Sequence, residues 1–193
     1  MDGLNYGTYY FFRSLAKENP ELHGFLQGLT RGIDWLGSVG VLAAIGLLLV
    51  ALLVWRGRTR AAAIVLVSAI VGLVAIELLN RAVGIDRPED RDEAYAGVDL
   101  GPAFASRATF LSSLVYGLVP LVAAGFLPRS WQRMALFVLC LFLILAIGFS
   151  QLYLRVEYLT GVLAGWALGA FFVLLSWQVG HIGIGNSELG VRN

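Results

Sequence analysis

The chain has 193 residues, of which 58% are hydrophobic and 14% charged, with a net charge of +1. An ordinary soluble domain is about half apolar and about a quarter charged, so this composition excludes one. The near-zero charge speaks against a nucleic-acid partner, and the single cysteine, Cys140, excludes an internal disulfide.

Residues 5–30 are rich in tyrosine and phenylalanine but are broken by Arg13, Lys17, Glu18 and Pro20. They are too polar to span a bilayer and read as one or two interfacial helices. Five apolar stretches follow: Trp35–Trp55, Ala61–Leu79, Ala108–Leu127, Met134–Leu154 and Tyr158–Gln178. Each approaches the roughly 20 residues that cross a bilayer as a helix, and none alternates strictly as a barrel strand would. The last two would make a helix about twice the hydrocarbon thickness if joined, so the chain must turn near Tyr153–Thr160. The expected fold is all-α: one integral membrane bundle of about five transmembrane helices, residues 1–193. Within it, 1–34 form the interfacial N-terminal segment, 35–180 the helical core and 181–193 a tail.

The short loops holding Arg56, Arg58 and Arg60, and Arg129 and Arg133, carry no acid. The positive-inside rule places them, and the C-terminal tail, in the cytoplasm. The long loop from Asn80 to Arg107 and the turn before Glu157 then face outward. Trp35, Trp55, Trp131 and Trp177 mark span ends as an aromatic belt. The run Glu89-Asp90-Arg91-Asp92-Glu93 reads as a solvated loop, and His23 and His181 as ordinary interfacial side chains.

Three segments at the outward helix ends draw attention. They are Asn80–Pro88 (NRAVGIDRP), Phe104–Ala108 (FASRA) and Phe149–Gly169 (FSQLYLRVEYLTGVLAGWALG). Their order and spacing resemble the three signatures of the type-2 phosphatidic acid phosphatase superfamily. The first signature is Lys, six residues, Arg-Pro; Arg87 and Pro88 match it, and Asn80 stands for the Lys. The second is Pro-Ser-Gly-His; Ser106 matches, while Arg107 stands for the Gly and Ala108 for the His. The third is Ser-Arg, five residues, His, three residues, Asp. Ser150 matches, while Gln151 stands for the Arg, Glu157 for the nucleophilic His and Gly161 for the orienting Asp.

The resemblance implies a helical lipid-phosphatase scaffold without its reaction centre. In the family the third-signature His attacks phosphorus, the Asp orients it and the second-signature His protonates the leaving group. All three are absent here, so no catalytic residue, metal or other cofactor is expected. A carboxylate nucleophile at Glu157 would face the incoming phosphate with like charge. Glu77, Arg87, Arg107 and Glu157 are instead expected to form a buried charge network, since ionisable groups at membrane depth normally have a partner or a function. Gly161, Gly165 and Gly169 make a ridge at four-residue spacing that lets helices approach closely.

The implied function is non-catalytic: an accessory subunit of a membrane complex, or a binder of lipid phosphate. Alternatives are a weak or altered phosphatase using Glu157, and a lipid transporter or flippase. The expected partners are membrane lipids and a membrane protein docked on helix faces or on the N-terminal segment. The expected location is a bacterial inner membrane, with the degenerate site facing outside.

Overall fold

A computed structural model describes the backbone of residues 2–18, 20–85, 87–88, 92, 95, 104–124 and 126–189, with side chains at 5–14, 21–85, 87–88, 92, 95, 104–124 and 126–179. Among the described residues seven helices follow one another: α1 (Asp2–Glu18), α2 (Pro20–Leu36), α3 (Val39–Trp55), α4 (Thr59–Val83), α5 (Arg107–Ala123), α6 (Ser130–Tyr153) and α7 (Leu159–Leu189). Four stretches of the described residues are long and apolar enough to cross a membrane: Glu21–Trp55, Thr59–Val83, Ser130–Tyr153 and Leu159–Val179. Their outer faces present Leu47, Leu48, Val67, Phe142, Phe171 and Leu174 uncovered. An exterior so apolar is stable against lipid rather than water, and the chain is an integral membrane protein.

A short apolar helix lies at the centre. α5 has 17 residues, about 25 Å of helix, less than the hydrocarbon thickness of about 30 Å. It can be short because other helices surround it. α7, α6, α3 and α4 all pack against it. Phe110, Thr109 and Ser112 are fully buried in its first two turns, and Leu42, Ile76, Leu114 and Ile147 complete the core.

α7 reaches α5 through its glycines. A Cβ on Gly169 would meet the Ser113 side chain and would come within 2.8 Å of the Phe110 carbonyl oxygen. One on Gly165 would meet Thr109 and come within 2.8 Å of the Ser106 carbonyl oxygen. The backbones are therefore in contact, as small residues permit in lipid. Gly161 joins the same seam differently, its carbonyl accepting the Ser106 N–H at 2.9 Å. Further along, Ser176 donates to Ser68 at 2.8 Å and so ties α7 to α4.

Several boundaries differ from the sequence reading. The first span begins at Val39 rather than Trp35, because α2 continues to Leu36 and turns at Gly37. There a Cβ would lie 2.6 Å from Ile147, so the turn is pressed onto α6. Ser38 then caps α3 by accepting from the Val41 N–H at 3.4 Å. At the other end α7 runs to Leu189, so residues expected as a tail extend the last helix. The N-terminal segment is two helices, and α2 lies along α6.

The α5–α7 seam yields a direct test. Gly169→Ala should destabilise the protein by about 1–3 kcal/mol through overpacking against backbone. Gly46→Ala, on a lipid-facing part of α3 with nothing within 4 Å of the added Cβ, should be neutral or slightly stabilising. Thermal unfolding in detergent measures both.

Candidate functional site

The C-terminal ends of α4 and α6 and the N-terminal ends of α5 and α7 converge on one small region, and the three sequence segments meet there. Chain turns build it. α6 ends at Tyr153, and the 154–158 linker folds back so that the Val156 N–H donates to the Gln151 carbonyl at 3.0 Å. Arg155 takes up the reversal with a left-handed φ of 56°. The linker directs Glu157 inward, where it is 4% exposed.

Glu157 meets Arg87 at 2.7 Å, and the side chains are 2% and 9% exposed respectively. Arg87 also donates to the Val156 carbonyl at 3.0 Å, which fixes the linker as well as the charge. The second Glu157 oxygen, Oε2, is buried and has no hydrogen-bond partner. Glu157 lies between the spanning helices, and burial pushes its carboxyl up to about 7, against the opposing pull of Arg87, Ser106 and Arg107. The orphaned oxygen is one physical reason that the guanidinium does not outweigh desolvation.

The other members of the expected network form a separate pair. Glu77 accepts from Arg107 at 2.6 Å and from Arg81, one turn along α4, at 3.0 Å. That pair is more than a third exposed, so solvent screens it and it holds α4 to α5 only lightly.

The residues that match the three signatures, Arg87, Ser106 and Ser150, are engaged within the fold. Arg87 is paired. Ser106 caps α5 and accepts from the Thr109 N–H at 3.4 Å. Ser150 donates to the Ile147 carbonyl of its own helix at 2.7 Å. Asn80, in the position of the Lys, is completely buried. Its amide faces the carbonyl oxygens of Phe104 and Ala105, to which its nitrogen donates. A neutral amide here holds the second segment in place and supplies no charge. Ala105 sits at the signature's Pro position with φ 56°, which proline cannot adopt.

α2 contributes groups that the sequence reading missed. Gln151, in the position of the Arg, donates to Asp34 Oδ1 of α2, and the Tyr95 hydroxyl donates to the other oxygen of the same carboxylate. Beside them Asp92 is buried and accepts from Gln27 at 2.5 Å and from Arg31 at 2.6 and 3.0 Å. The run 89–93 was expected as a solvated loop. Asp92 corrects this, because two α2 donors and the Leu154 carbonyl, which accepts its N–H at 3.1 Å, draw it inside. Glu89, Asp90, Arg91 and Glu93 lie outside the described residues. One signal was legible: Gln27, Arg31 and Asp34 repeat at four and three residues, one stripe on a helix.

α1 closes the outer side. Asn5 clamps the start of α7, donating to Thr160 Oγ1 at 3.0 Å and accepting from the Thr160 N–H at 3.2 Å. With Thr8, Tyr9 and Phe12 it borders a cavity of about 10 Å³ beside Glu157, no larger than one water needs. Among the described residues no three His, Cys, Asp or Glu side chains converge to hold a metal ion. His23 bonds the Tyr153 hydroxyl at 2.8 Å and pins α2 to α6.

The fold is that of a solved enzyme. The crystal structure of a transmembrane PAP2-type phosphatidylglycerolphosphate phosphatase from Bacillus subtilis superimposes with a TM-score of 0.80, covering 94% of this chain and 88% of that chain at 17% identity. No family model and no curated protein sequence matches the chain.

The buried pair generates a test. Arg87→Ala should destabilise by roughly 3–5 kcal/mol, because it leaves a buried carboxylate without its partner. Arg87→Met combined with Glu157→Leu should recover much of that loss. Unfolding midpoints of the two single variants and the double variant complete the cycle.

Proposed function

We propose that this chain is a catalytically degenerate member of the type-2 phosphatidic acid phosphatase superfamily, acting as a non-catalytic accessory subunit of a membrane complex. The carrying observation is the Glu157–Arg87 pair at 2.7 Å. It occupies the place where nucleophile and phosphate would meet, and it uses the one guanidinium kept from the first signature. Gln151, Gly161 and Ala108 supply neither the second Arg, nor an orienting carboxylate, nor an acid. Losing one such group can leave weak turnover; losing nucleophile, orienter and acid together leaves only binding and charge.

The lipid-phosphate binder is the second reading. It requires that a headgroup displace Glu157 from Arg87 and move α1 from Asn5 onward. The half-compensated carboxylate favours it, because a proton on Glu157 would free Arg87 for an anion. A phosphatase using Glu157, or a lipid transporter, has less support: the carboxylate is already bonded, and the cavity beside it would hold only about one water.

Purified protein should release no phosphate above a detergent blank from phosphatidic acid, lysophosphatidic acid, phosphatidylglycerophosphate or polyprenyl pyrophosphate. Turnover that vanishes in Glu157→Gln would sink the non-catalytic reading. Restored activity should require Asn80→Lys, Arg107→Gly, Ala108→His, Gln151→Arg, Glu157→His and Gly161→Asp together, and Glu157→His alone should do little.

The orientation we infer is a bacterial inner membrane with this region outside and the C-terminus cytoplasmic, from the arginines of the two short loops. Asp92 is buried, so the accessible probe positions are Glu21 and Arg58. In a Cys140→Ala background, an impermeant thiol reagent on intact cells should label Glu21→Cys and spare Arg58→Cys. The reverse pattern would turn the site toward the cytoplasm.

A further inference from the structure

The helix ends opposite to the Glu157 region carry Arg56, Arg58, Arg60, Arg129 and Arg133 on or beside two short turns that hold no acid. Arginines are common at a membrane face, and by themselves they make no site. Two of these are placed differently from the rest. Arg56 and Arg58 line a cavity of about 190 Å³ together with Leu53 and Phe126. The Arg56 guanidinium lies over the Phe126 ring, 4.2 Å from its centre, and 5.6 Å from that of Trp55. Stacking engages the face of a guanidinium and leaves the N–H donors in its plane for an acceptor.

Neither side chain is needed to close the turn. Gly57, with φ 71°, lets the Arg58 N–H reach the Leu53 carbonyl at 2.9 Å, and its own N–H reaches that of Val54 at 2.9 Å. The end of α3 is thus capped by backbone. The acids that hold arginines, Glu77, Asp92 and Glu157, belong to the other end of the bundle. Among the described residues neither Arg56 nor Arg58 has an ion pair.

Apolar space continues from this cavity into the bundle. α3 and α4 flank a groove of about 300 Å³ floored by Leu111, Leu114 and Leu118 of α5. Leu49 lines its near end, and Leu53, one turn further along α3, lines the arginine cavity. From Val39 to Val50 the groove runs about 17 Å, which gives it a mean section of about 18 Å². A helix about 10 Å across cannot enter it, whereas one extended hydrocarbon chain can. A phospholipid has both parts, a phosphate and a chain. Two guanidiniums without a counter-charge match the oxygens of a phosphate and call for net negative charge. A zwitterionic headgroup would bring its ammonium against the same arginines.

We propose that Arg56 and Arg58 bind the phosphate of an anionic phospholipid, one of whose acyl chains lies in the α3–α4–α5 groove. Neither reading of the Glu157 region involves this end of the molecule, so the site stands or falls separately. Under the orientation inferred above, the lipid belongs to the cytoplasmic leaflet.

Native mass spectrometry tests it, on purified protein equilibrated in detergent with equal amounts of phosphatidylglycerol and phosphatidylcholine of the same chains. The expected result is one retained phosphatidylglycerol, favoured at least tenfold over phosphatidylcholine. Arg56→Gln with Arg58→Gln should cut its retention at least tenfold while the lipid-free thermal midpoint holds. Arg56→Lys, which keeps the charge but loses the planar fork, should cut it about threefold. Arg60→Gln with Arg129→Gln removes the same charge from the same face outside the cavity and should change retention less than twofold. Gly46→Phe, which enters the groove from a position with nothing within 4 Å of the added Cβ, should cut it at least threefold. Equal loss in the two arginine pairs would overturn the site in favour of diffuse attraction. No preference between the lipids would overturn the anionic headgroup. Inorganic phosphate raising the thermal midpoint as much as phosphatidylglycerol does would overturn the lipid in favour of a free anion. Unchanged retention in Gly46→Phe would overturn the place of the acyl chain.

Discussion

A carboxylate and a guanidinium buried against each other hold one end of this bundle. Arg87 comes from the segment after α4, and Glu157 from the linker between α6 and α7. Their contact at 2.7 Å draws together two parts of the chain 70 residues apart. Arg87 then bonds the Val156 carbonyl, so a single side chain sets both the charge balance and the path of the linker. In water such a pair would contribute little; shut away from water, neither partner can be removed alone without leaving a stranded charge.

The same pair shows how the cations of this region are used. A phosphate site needs cations whose charge is left for the ligand. Here the cations are answered from within: Arg87 by Glu157, Arg107 by Glu77 and Arg31 by Asp92. Asn80 and Gln151 go further, because they replace cations with amides that bond the protein itself. The result is a closed polar layer beneath α1 and α2, resting on the same α5–α7 seam that carries the helices of the bundle. Below that layer the balance is reversed. There the Ser113 hydroxyl and the Trp166 indole N–H are buried without a hydrogen-bond partner.

How much of this was legible depends on how local the signal is. The five apolar stretches and the break near Tyr153–Thr160 follow from bilayer thickness and helix rise, and the described helices fall on them. Residues Arg87, Ser106, Ser150 and Glu157 could be singled out because their spacings match a pattern. Asp34 could not, since its partner Gln151 is 117 residues away. Nor could Asp92, which as part of a charged run looks solvated until α2 brings Gln27 and Arg31 against it. The end of α2 at Leu36 was blurred because Trp35 and Leu36 read as the start of the next span; the turn at Gly37 is set by Ile147 of α6.

The sequence alone determined that this is a helical membrane protein and which ends of its helices meet. These are matters of composition and of residue identity at fixed spacing, and hydrocarbon leaves the backbone no choice but helix. Only the tertiary structure decided which acid faces which base, that α1 and α2 lie over the site, and that a groove runs between α3 and α4 over α5. Charges choose partners by distance through space, and helices choose neighbours by the shapes of the faces they present; neither is written in the order of residues along one segment.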